Sequence, residues 1–192
     1  RQAYIDNGIN PERITRIPVM GLVSGKPAAS LEAFSDNLAR LPLLSEPGTR
    51  WSYSVSLDLV GRLIEVVSGL AFDTFLQQRI FNPLKMTSTY FQVPRSEAGR
   101  LATNYFVLAG RLIPVDSGSN SIYFDRPAFP FGGSGLVSSA RDYDRFLSML
   151  LGRGALDGTR IMRPETVDIA TSNLLPTGVN TKATVLGGDH FG

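Results

Sequence analysis

Two short segments of this sequence carry side chains that could do chemistry. In the first, Tyr53 and Ser54 lie on a turn just before a predicted helix. Backbone N–H groups and the helix dipole favour negative charge at such an N-terminus, so a Tyr53 phenolate placed there could act as a general base. Alternatively, Trp51 and Tyr53 simply pack the end of that helix into the core. The residues alone leave both interpretations open.

The second segment is the glycine-rich run G-G-S-G-L at positions 132–136, which approaches a predicted capped helix. Because glycine lets the backbone come close to another group, Gly133, Ser134 and Gly135 could line one wall of a substrate cleft. The same glycines could instead merely permit close packing. The residue types do not decide between a cleft and a packing contact.

Most other catalytic arrangements lack their residues in this chain. A G-x-S-x-G nucleophile elbow is absent, since Ser134 has Gly132 two positions before it but Leu136 two positions after it. There is no Cys and the only His is His190, which excludes thiol nucleophiles and His-cluster metal sites and argues against a His-based triad. Phosphate-binding loops are also absent, and the acidic residues are isolated. We predict no metal and no cofactor.

Composition indicates an ordinary folded domain. The chain has 192 residues, 43% of them hydrophobic and 19% charged, with a formal net charge of +2. The basic residues are scattered rather than clustered, so no nucleic-acid partner is predicted. No apolar run approaches the roughly 20 residues of a membrane span. We therefore expect a soluble chain without a transmembrane segment, and the composition leaves its compartment open between periplasm and cytoplasm.

Apolar spacing predicts a mainly helical α+β chain. Predicted helices cover about 31–41 and 71–81, with others starting at Ser56, Ser139 and Pro164. Predicted strands cover 88–93, 105–108 and 111–115, the last two joined by a turn at Ala109-Gly110. Two helices are expected to turn an apolar face to the core, the first with Leu57, Val60, Leu63, Ile64 and Val67, the second with Tyr143, Phe146, Leu147 and Leu150.

We divide this single predicted domain, residues 1–192, into four stretches. Residues 1–29 are a loop-rich entry, and residues 30–94 are a helical region that contains the Tyr53 turn. Residues 95–130 form a small β excursion and a loop, and residues 131–192 hold the glycine-rich loop, a capped helix and a tail.

Four motifs occur in a recognisable order. They are P-G-T-x-W-S-Y-S at 47–54, D-L-V-G-R-L-I-E-V-V-S-G at 58–69, N-P-L-K-M-T-S-T at 82–89 and G-G-S-G-L-V-S-S-A-R-D at 132–142. In this order they resemble the serine β-lactamase and penicillin-binding protein superfamily, most of all its class C and carboxylesterase branch. The similarity is clearest over 42–94 and 129–152.

The resemblance implies catalysis by a Ser in an S-x-x-K motif, assisted by its Lys and by a Tyr, through an acyl-enzyme. Tyr53 matches the Tyr of that family and would be the base or proton shuttle. Ser54 and Val55 follow it and would border the substrate. Val55 stands where β-lactamases place Asn, and a Val side chain cannot hydrogen-bond a substrate amide, so the difference favours an esterase-like member.

The nucleophile motif itself is missing. Three positions before Lys26, Lys85 and Lys182 the sequence has Val, Asn and Val, so it contains no S-x-x-K, and it contains no K-[ST]-G either. We interpret the H-x-G match that begins at His190 as coincidence. The resemblance then implies an internal fragment, the middle helical domain of the β-lactamase/transpeptidase-like fold, with most of the central antiparallel sheet missing.

Three functions remain as hypotheses. The first is part of a serine hydrolase that cleaves a small ester or amide, β-lactam-like or carboxylester, with the fragment alone inactive. The second is a non-catalytic binding or interaction module of the same fold, whose apolar face left by the missing sheet could cause self-association. The third is a self-contained hydrolase with unrecognised machinery.

Overall fold

The computed structural model describes residues 2–9 and 26–179. His190 and Lys182, which entered the sequence analysis, lie outside these residues. Six α-helices occur in the described part: α1 Gln2–Asp6, α2 Leu31–Ala39, α3 Ser56–Ser68, α4 Phe72–Leu76, α5 Ala140–Leu151 and α6 Pro164–Ala170. A π-helical turn, Gln77–Phe81, continues α4, and 3-10 turns cover Arg95–Arg100 and Ile122–Phe124.

Strands form two small antiparallel hairpins in the described ranges. The first pairs β1 (Asn104–Leu108) with β2 (Arg111–Asp116), and the second pairs β3 (Ala155–Leu156) with β4 (Thr159–Arg160). Ala109 and Gly110 turn the first hairpin with φ values of 48° and 76°, as the sequence predicts. The described part is therefore mainly helical with little sheet.

The strand predicted over 88–93 is wrong. Only Tyr90 makes a β-bridge, with Val137. The neighbouring backbone donors take other partners, since the N–H of Ser88 donates to the Asp142 carboxylate and that of Val93 to the Tyr123 carbonyl. Because these N–H groups bind a side chain and a 3-10 turn rather than a neighbouring strand, the segment does not form a β-strand.

Two helix starts follow their predicted capping chemistry. The Ser30 hydroxyl accepts the Ala33 N–H at the start of α2, and the Ser139 hydroxyl accepts the Asp142 N–H at the start of α5. The capping box is not closed, however, because the Asp142 carboxylate binds Ser88 and Thr89 instead of reaching back to the Ser139 N–H.

The predicted inward face of α3 is wrong, although the helix and its Gly69 end are as predicted. Leu57, Val60, Leu63 and Val67 are exposed, and only Ile64 of that face is half-buried. The helix instead turns Asp58 and Gly61 inward. In α5, Phe146 and Leu150 are half-buried as predicted, but Tyr143 and Leu147 are exposed, and the buried residues are Asp142 and Met149.

Among the residues that the structure describes, the core consists of two clusters. The larger one joins α2 and α4 to the loop before residue 132, with Phe34 and Phe129 rings 5.5 Å apart and Phe129 and Phe131 rings 4.1 Å apart. The smaller one packs Phe81, Leu84 and Met86 against Met149 of α5. The Tyr53 turn and the glycine-rich loop lie next to the larger cluster, which Val55 contacts.

Candidate functional site

The Tyr53 side chain lies on an exposed turn directly before α3. It is 68% exposed, which does not fit the interpretation that Tyr53 packs the helix end into the core. Trp51 and Val55 on either side are half-buried and anchor the turn. Within residues 2–9 and 26–179, the Tyr53 hydroxyl makes no hydrogen bond, so its oxygen is accessible to a substrate or to another catalytic group.

Ser54 organises the start of α3. Its hydroxyl lies 2.6 Å from that of Ser56 and accepts the Ser56 N–H at 3.3 Å. Val55 is the N-cap residue, and its apolar side chain cannot accept a hydrogen bond from the helix. The Ser54 hydroxyl, one residue earlier, accepts the N–H of the first helical residue, Ser56, instead. These two hydrogen bonds, between residues two apart in the chain, help to hold the backbone that follows Tyr53.

The structure brings the glycine-rich loop onto the start of α3. The Gly133 N–H donates to Oδ1 of Asp58 at 3.0 Å, across 75 residues of sequence. Gly132 lies so close to α3 that an added Cβ would overlap the Leu57 carbonyl oxygen. The two candidate segments from the sequence are therefore neighbours, because Asp58 follows Tyr53 by only five positions in the chain.

A second contact holds the far end of the same loop. Tyr90 and Val137 exchange two backbone hydrogen bonds of 2.8 and 2.9 Å. Just beyond them, the Thr89 and Ser138 hydroxyls lie 2.8 Å apart, and Thr89 donates to the buried Asp142 carboxylate at 2.9 Å. The loop is thus fixed at both ends, with Ser134 exposed between the two anchors.

The motif at 58–69, which forms most of α3, makes contacts to both α2 and α4. Gly61 lies against the Phe72 ring and the Leu31 side chain, and its small size permits this approach. Arg62 donates to Glu32 of α2 at 2.7 Å and to Glu65 at 3.3 Å, and Glu65 accepts the Phe72 N–H that begins α4. The conspicuous Gly, Arg and Glu of this motif therefore have packing roles.

Asp58, which binds the glycine-rich loop, is not among the site residues predicted from the sequence. It is 7% exposed, and its carboxylate lies in the first turn of α3, where the helix dipole favours negative charge. The sequence contained a signal for this role, because Asp58 stands between Leu57 and Leu59 at a helix start. A carboxylate that becomes buried there costs free energy unless a hydrogen-bond partner compensates it, so a partner was to be expected. The sequence could not show that the partner is a glycine 75 residues away.

A cavity of about 830 Å³ lies elsewhere, between α2, α3 and the π-helical turn. It is bordered by Glu32, Arg62, Gln77 and Arg126 among others, and by none of the six candidate site residues. Across the described ranges, 2–9 and 26–179, no group of three His, Cys, Asp or Glu side chains could hold a metal ion. No helix in the same ranges is long and apolar enough to span a bilayer.

The chain belongs to the Beta-lactamase family, whose model matches residues 16–187. The resemblance stated from the four motifs is confirmed, and the match extends well beyond 42–94 and 129–152. The described structure is accordingly β-lactamase-like, with its helices dominant and its sheets small.

Relatives of this chain include enzymes that act on esters. An uncharacterized protein of Mycobacterium tuberculosis is 34% identical over 142 residues, which cover 72% of this chain and 34% of that protein. The lovastatin esterase of Penicillium rubens is 36% identical over 129 residues, covering 66% of this chain and 31% of the esterase. The solved structure of EstCE1, a hydrolase with promiscuous acyltransferase activity, superposes with a TM-score of 0.63 at 25% identity, over 86% of this chain and 42% of EstCE1.

The chain spans about a third of the length of the curated relatives it matches. About two thirds of each relative lies outside the matched residues. The similarity therefore does not by itself assign a relative's activity to this chain.

Proposed function

We propose that this chain is the Tyr-bearing part of a longer serine hydrolase of the Beta-lactamase family, which cleaves an ester or amide through an acyl-serine intermediate. Tyr53 is its general base or proton shuttle. The substrate cleft is bordered by Ser54, Val55, Gly133, Ser134 and Gly135.

The observation that carries the proposal is the position of Tyr53. This residue matches the family motif, and its 68% exposed ring stands on a turn fixed by Ser54 and Ser56. The glycine-rich loop, the other segment named from the sequence, is bonded to the same helix start through Gly133 and Asp58. An accessible phenol oxygen, close in the chain to a helix start that binds a loop with little side-chain bulk, supports a substrate cleft at this place.

In the proposed reaction, the oxygen of a Ser in a segment outside the 192 residues attacks the substrate carbonyl carbon. The Tyr53 oxygen takes the hydroxyl proton as the new C–O bond forms, and it gives that proton to the leaving alcohol or amine as the old bond breaks. Water then releases the acid from the acyl-serine. Tyr53 returns to its starting state in each cycle.

An ester is the favoured substrate class. Val55 offers no hydrogen bond to an amide, and the lovastatin esterase and EstCE1 are relatives whose names describe ester cleavage or acyl transfer. A carboxylester needs no amide recognition, whereas a side chain that can hydrogen-bond the substrate amide would help a β-lactamase or peptidase.

The first test asks whether the 192-residue chain is active without an S-x-x-K motif, which its sequence lacks. The 192-residue chain is expected neither to hydrolyse p-nitrophenyl butyrate nor to be labelled by a fluorophosphonate probe. A longer polypeptide that adds upstream sequence with S-x-x-K is expected to do both. Stoichiometric labelling of the short chain would overturn this part of the proposal and favour a self-contained hydrolase.

A non-catalytic interaction module is the second candidate, and the exposed apolar face of α3 favours it. Leu57, Leu63 and Val67 are 61%, 59% and 79% exposed. So much apolar surface on one helix is unusual unless another chain or segment covers it. A second copy of this chain is the occupant that this candidate predicts.

A further inference from the structure

We infer that Asp58 is the positioning residue of this site, which holds the glycine-rich loop against the turn that carries Tyr53. The inference rests on the proposed function, because it assigns Asp58 a role in aligning the two walls of the proposed cleft. Asp58 itself does not reach the substrate; it acts through Gly133 and the residues that follow it.

The hydrogen bond from Gly133 is the first observation. Oδ1 of Asp58 accepts the Gly133 N–H at 3.0 Å, and the Asp58 residue is 7% exposed. Within residues 2–9 and 26–179, this N–H is the sole hydrogen-bond partner of the Asp58 side chain, and no cation pairs with it there. A buried carboxylate costs free energy unless it is compensated, and the loop amide and the start of α3 both contribute to that compensation.

The close packing of Gly132 is the second observation, and it does not depend on the first. The backbone of Gly132 touches the Leu57 carbonyl, with no room for a Cβ. At Gly133 a Cβ would meet the Asp58 carboxylate oxygens at an ordinary 3.6 Å. Gly132 therefore has no room for a side chain, and Gly133 provides the N–H that binds Asp58. Together the two contacts fix which residues of the loop lie against the start of α3.

The hydrogen bonds between Val137 and Tyr90 at the other end of the loop indicate which residues depend on Asp58 for their position. Val137 is bonded to Tyr90, so the loop cannot slide at that end. Between the two anchors lie Ser134 and Gly135, and Gly135 has a φ of 89° that allows the chain to bend there. Without the Asp58 bond, only packing of Gly132 against Leu57 holds the near end of the loop, so Ser134 and Gly135 are expected to move relative to Tyr53.

The experiment uses the 192-residue chain and its one Trp, Trp51, two residues before Tyr53. We compare wild type, Asp58→Ala, Asp58→Asn and Gly132→Ala by amide hydrogen exchange of residues 133–135 and by Trp51 emission. Asp58→Asn keeps an oxygen that accepts the Gly133 N–H. Asp116→Ala is the matched control, because Asp116 is 5% exposed and also accepts a backbone N–H, that of Ile122, away from the loop.

Asp58→Ala and Gly132→Ala are expected to speed exchange at Gly133, whose N–H binds Asp58, at least tenfold and to shift Trp51 emission. Asp58→Asn is expected to stay close to wild type, within threefold in exchange. Asp116→Ala is expected to lower the unfolding temperature without either change. If Asp58→Ala lowers the unfolding temperature as Asp116→Ala does but leaves the loop exchange and Trp51 emission unchanged, Asp58 is merely structural and the inference is overturned.

A kinetic arm separates this inference from the proposed function. In the longer polypeptide, Asp58→Ala is expected to lower kcat/KM on p-nitrophenyl butyrate by ten- to a hundredfold, as a displaced wall of the site would. If Tyr53→Phe abolishes activity but Asp58→Ala does not reduce it, the inference fails and the function stands. If Tyr53→Phe leaves activity intact, the function fails, and the exchange measurements still decide whether Asp58 holds the loop.

Discussion

Thr89 and Asp142, 53 residues apart in sequence, are joined by a buried hydrogen bond of 2.9 Å from the Thr89 hydroxyl to Oδ2 of Asp142. The same carboxylate oxygen accepts the Ser88 N–H at 2.6 Å. The bond links the motif at 82–89 to the motif at 132–142. Two of the four motifs that identify the family therefore stabilise each other.

This relationship predicts a large loss of stability on removal of the Asp142 carboxylate. Asp142→Ala removes the acceptor of the part-buried Ser88 N–H and the buried acceptor of the Thr89 hydroxyl, which keeps only its contact with Ser138. It should lower the free energy of unfolding by about 2 kcal/mol. Asp144→Ala, at an exposed position of the same helix, should change it by less than about 0.5 kcal/mol. Urea denaturation followed by circular dichroism measures both, and equal effects of the two substitutions would contradict the assignment.

Tyr123 is predicted to ionise late. Burial raises the pKa of the Tyr123 phenol above 10.0, and the negative charge of Asp116 raises it further. Because the pKa is raised in the folded state, this group favours folding below pH 10 and the contribution is lost as the pH rises through the folded-state pKa. The difference in absorbance at 295 nm between wild type and Tyr123→Phe should therefore have its midpoint above 10.

The same titration has an internal check. Asp116→Asn removes the carboxylate charge but not the burial, so it should move the Tyr123 midpoint down without returning it to 10.0. A wild-type midpoint at or below 10 would show that the phenol is more solvated than the structure indicates.

The apolar face of α3 gives a prediction about association. If a second copy covers this face, sedimentation velocity should show the 192-residue chain forming dimers as its concentration rises. Leu63→Lys should then abolish the dimer, because a charge would be buried in an apolar contact. Gln78→Lys, which adds the same charge at another exposed position, should leave it intact. A wild-type chain that stays monomeric throughout would count against the interaction module.

Local elements were predictable because short-range chemistry decides them. The Ser30 and Ser139 caps, the Ala109-Gly110 turn and the Gly69 helix end all occur as their residue types indicate. Each depends on hydrogen bonds or backbone angles within a few residues. The π-helical turn at Gln77–Phe81 escaped prediction, since its i→i+5 hydrogen bonds span only one residue more than those of an α-helix.

The buried face of α3 was not predictable in the same way. Periodicity identifies an apolar face but does not say whether residues of this chain cover it. Asp58 and Gly61 face inward because Gly61 lets the helix approach Phe72 and because Gly133 compensates the Asp58 carboxylate. Both reasons involve residues distant in sequence, so the site's central contact was visible only in three dimensions.

The central claim is that Tyr53 transfers the proton in an acyl-serine reaction. The measurement that tests it most directly is kcat/KM for p-nitrophenyl butyrate in the longer polypeptide with Tyr53→Phe, beside Tyr105→Phe as an exposed control on β1. We predict a loss of about a thousandfold for Tyr53→Phe and no loss for Tyr105→Phe, with unchanged unfolding temperatures. Activity of Tyr53→Phe within threefold of wild type would contradict the account.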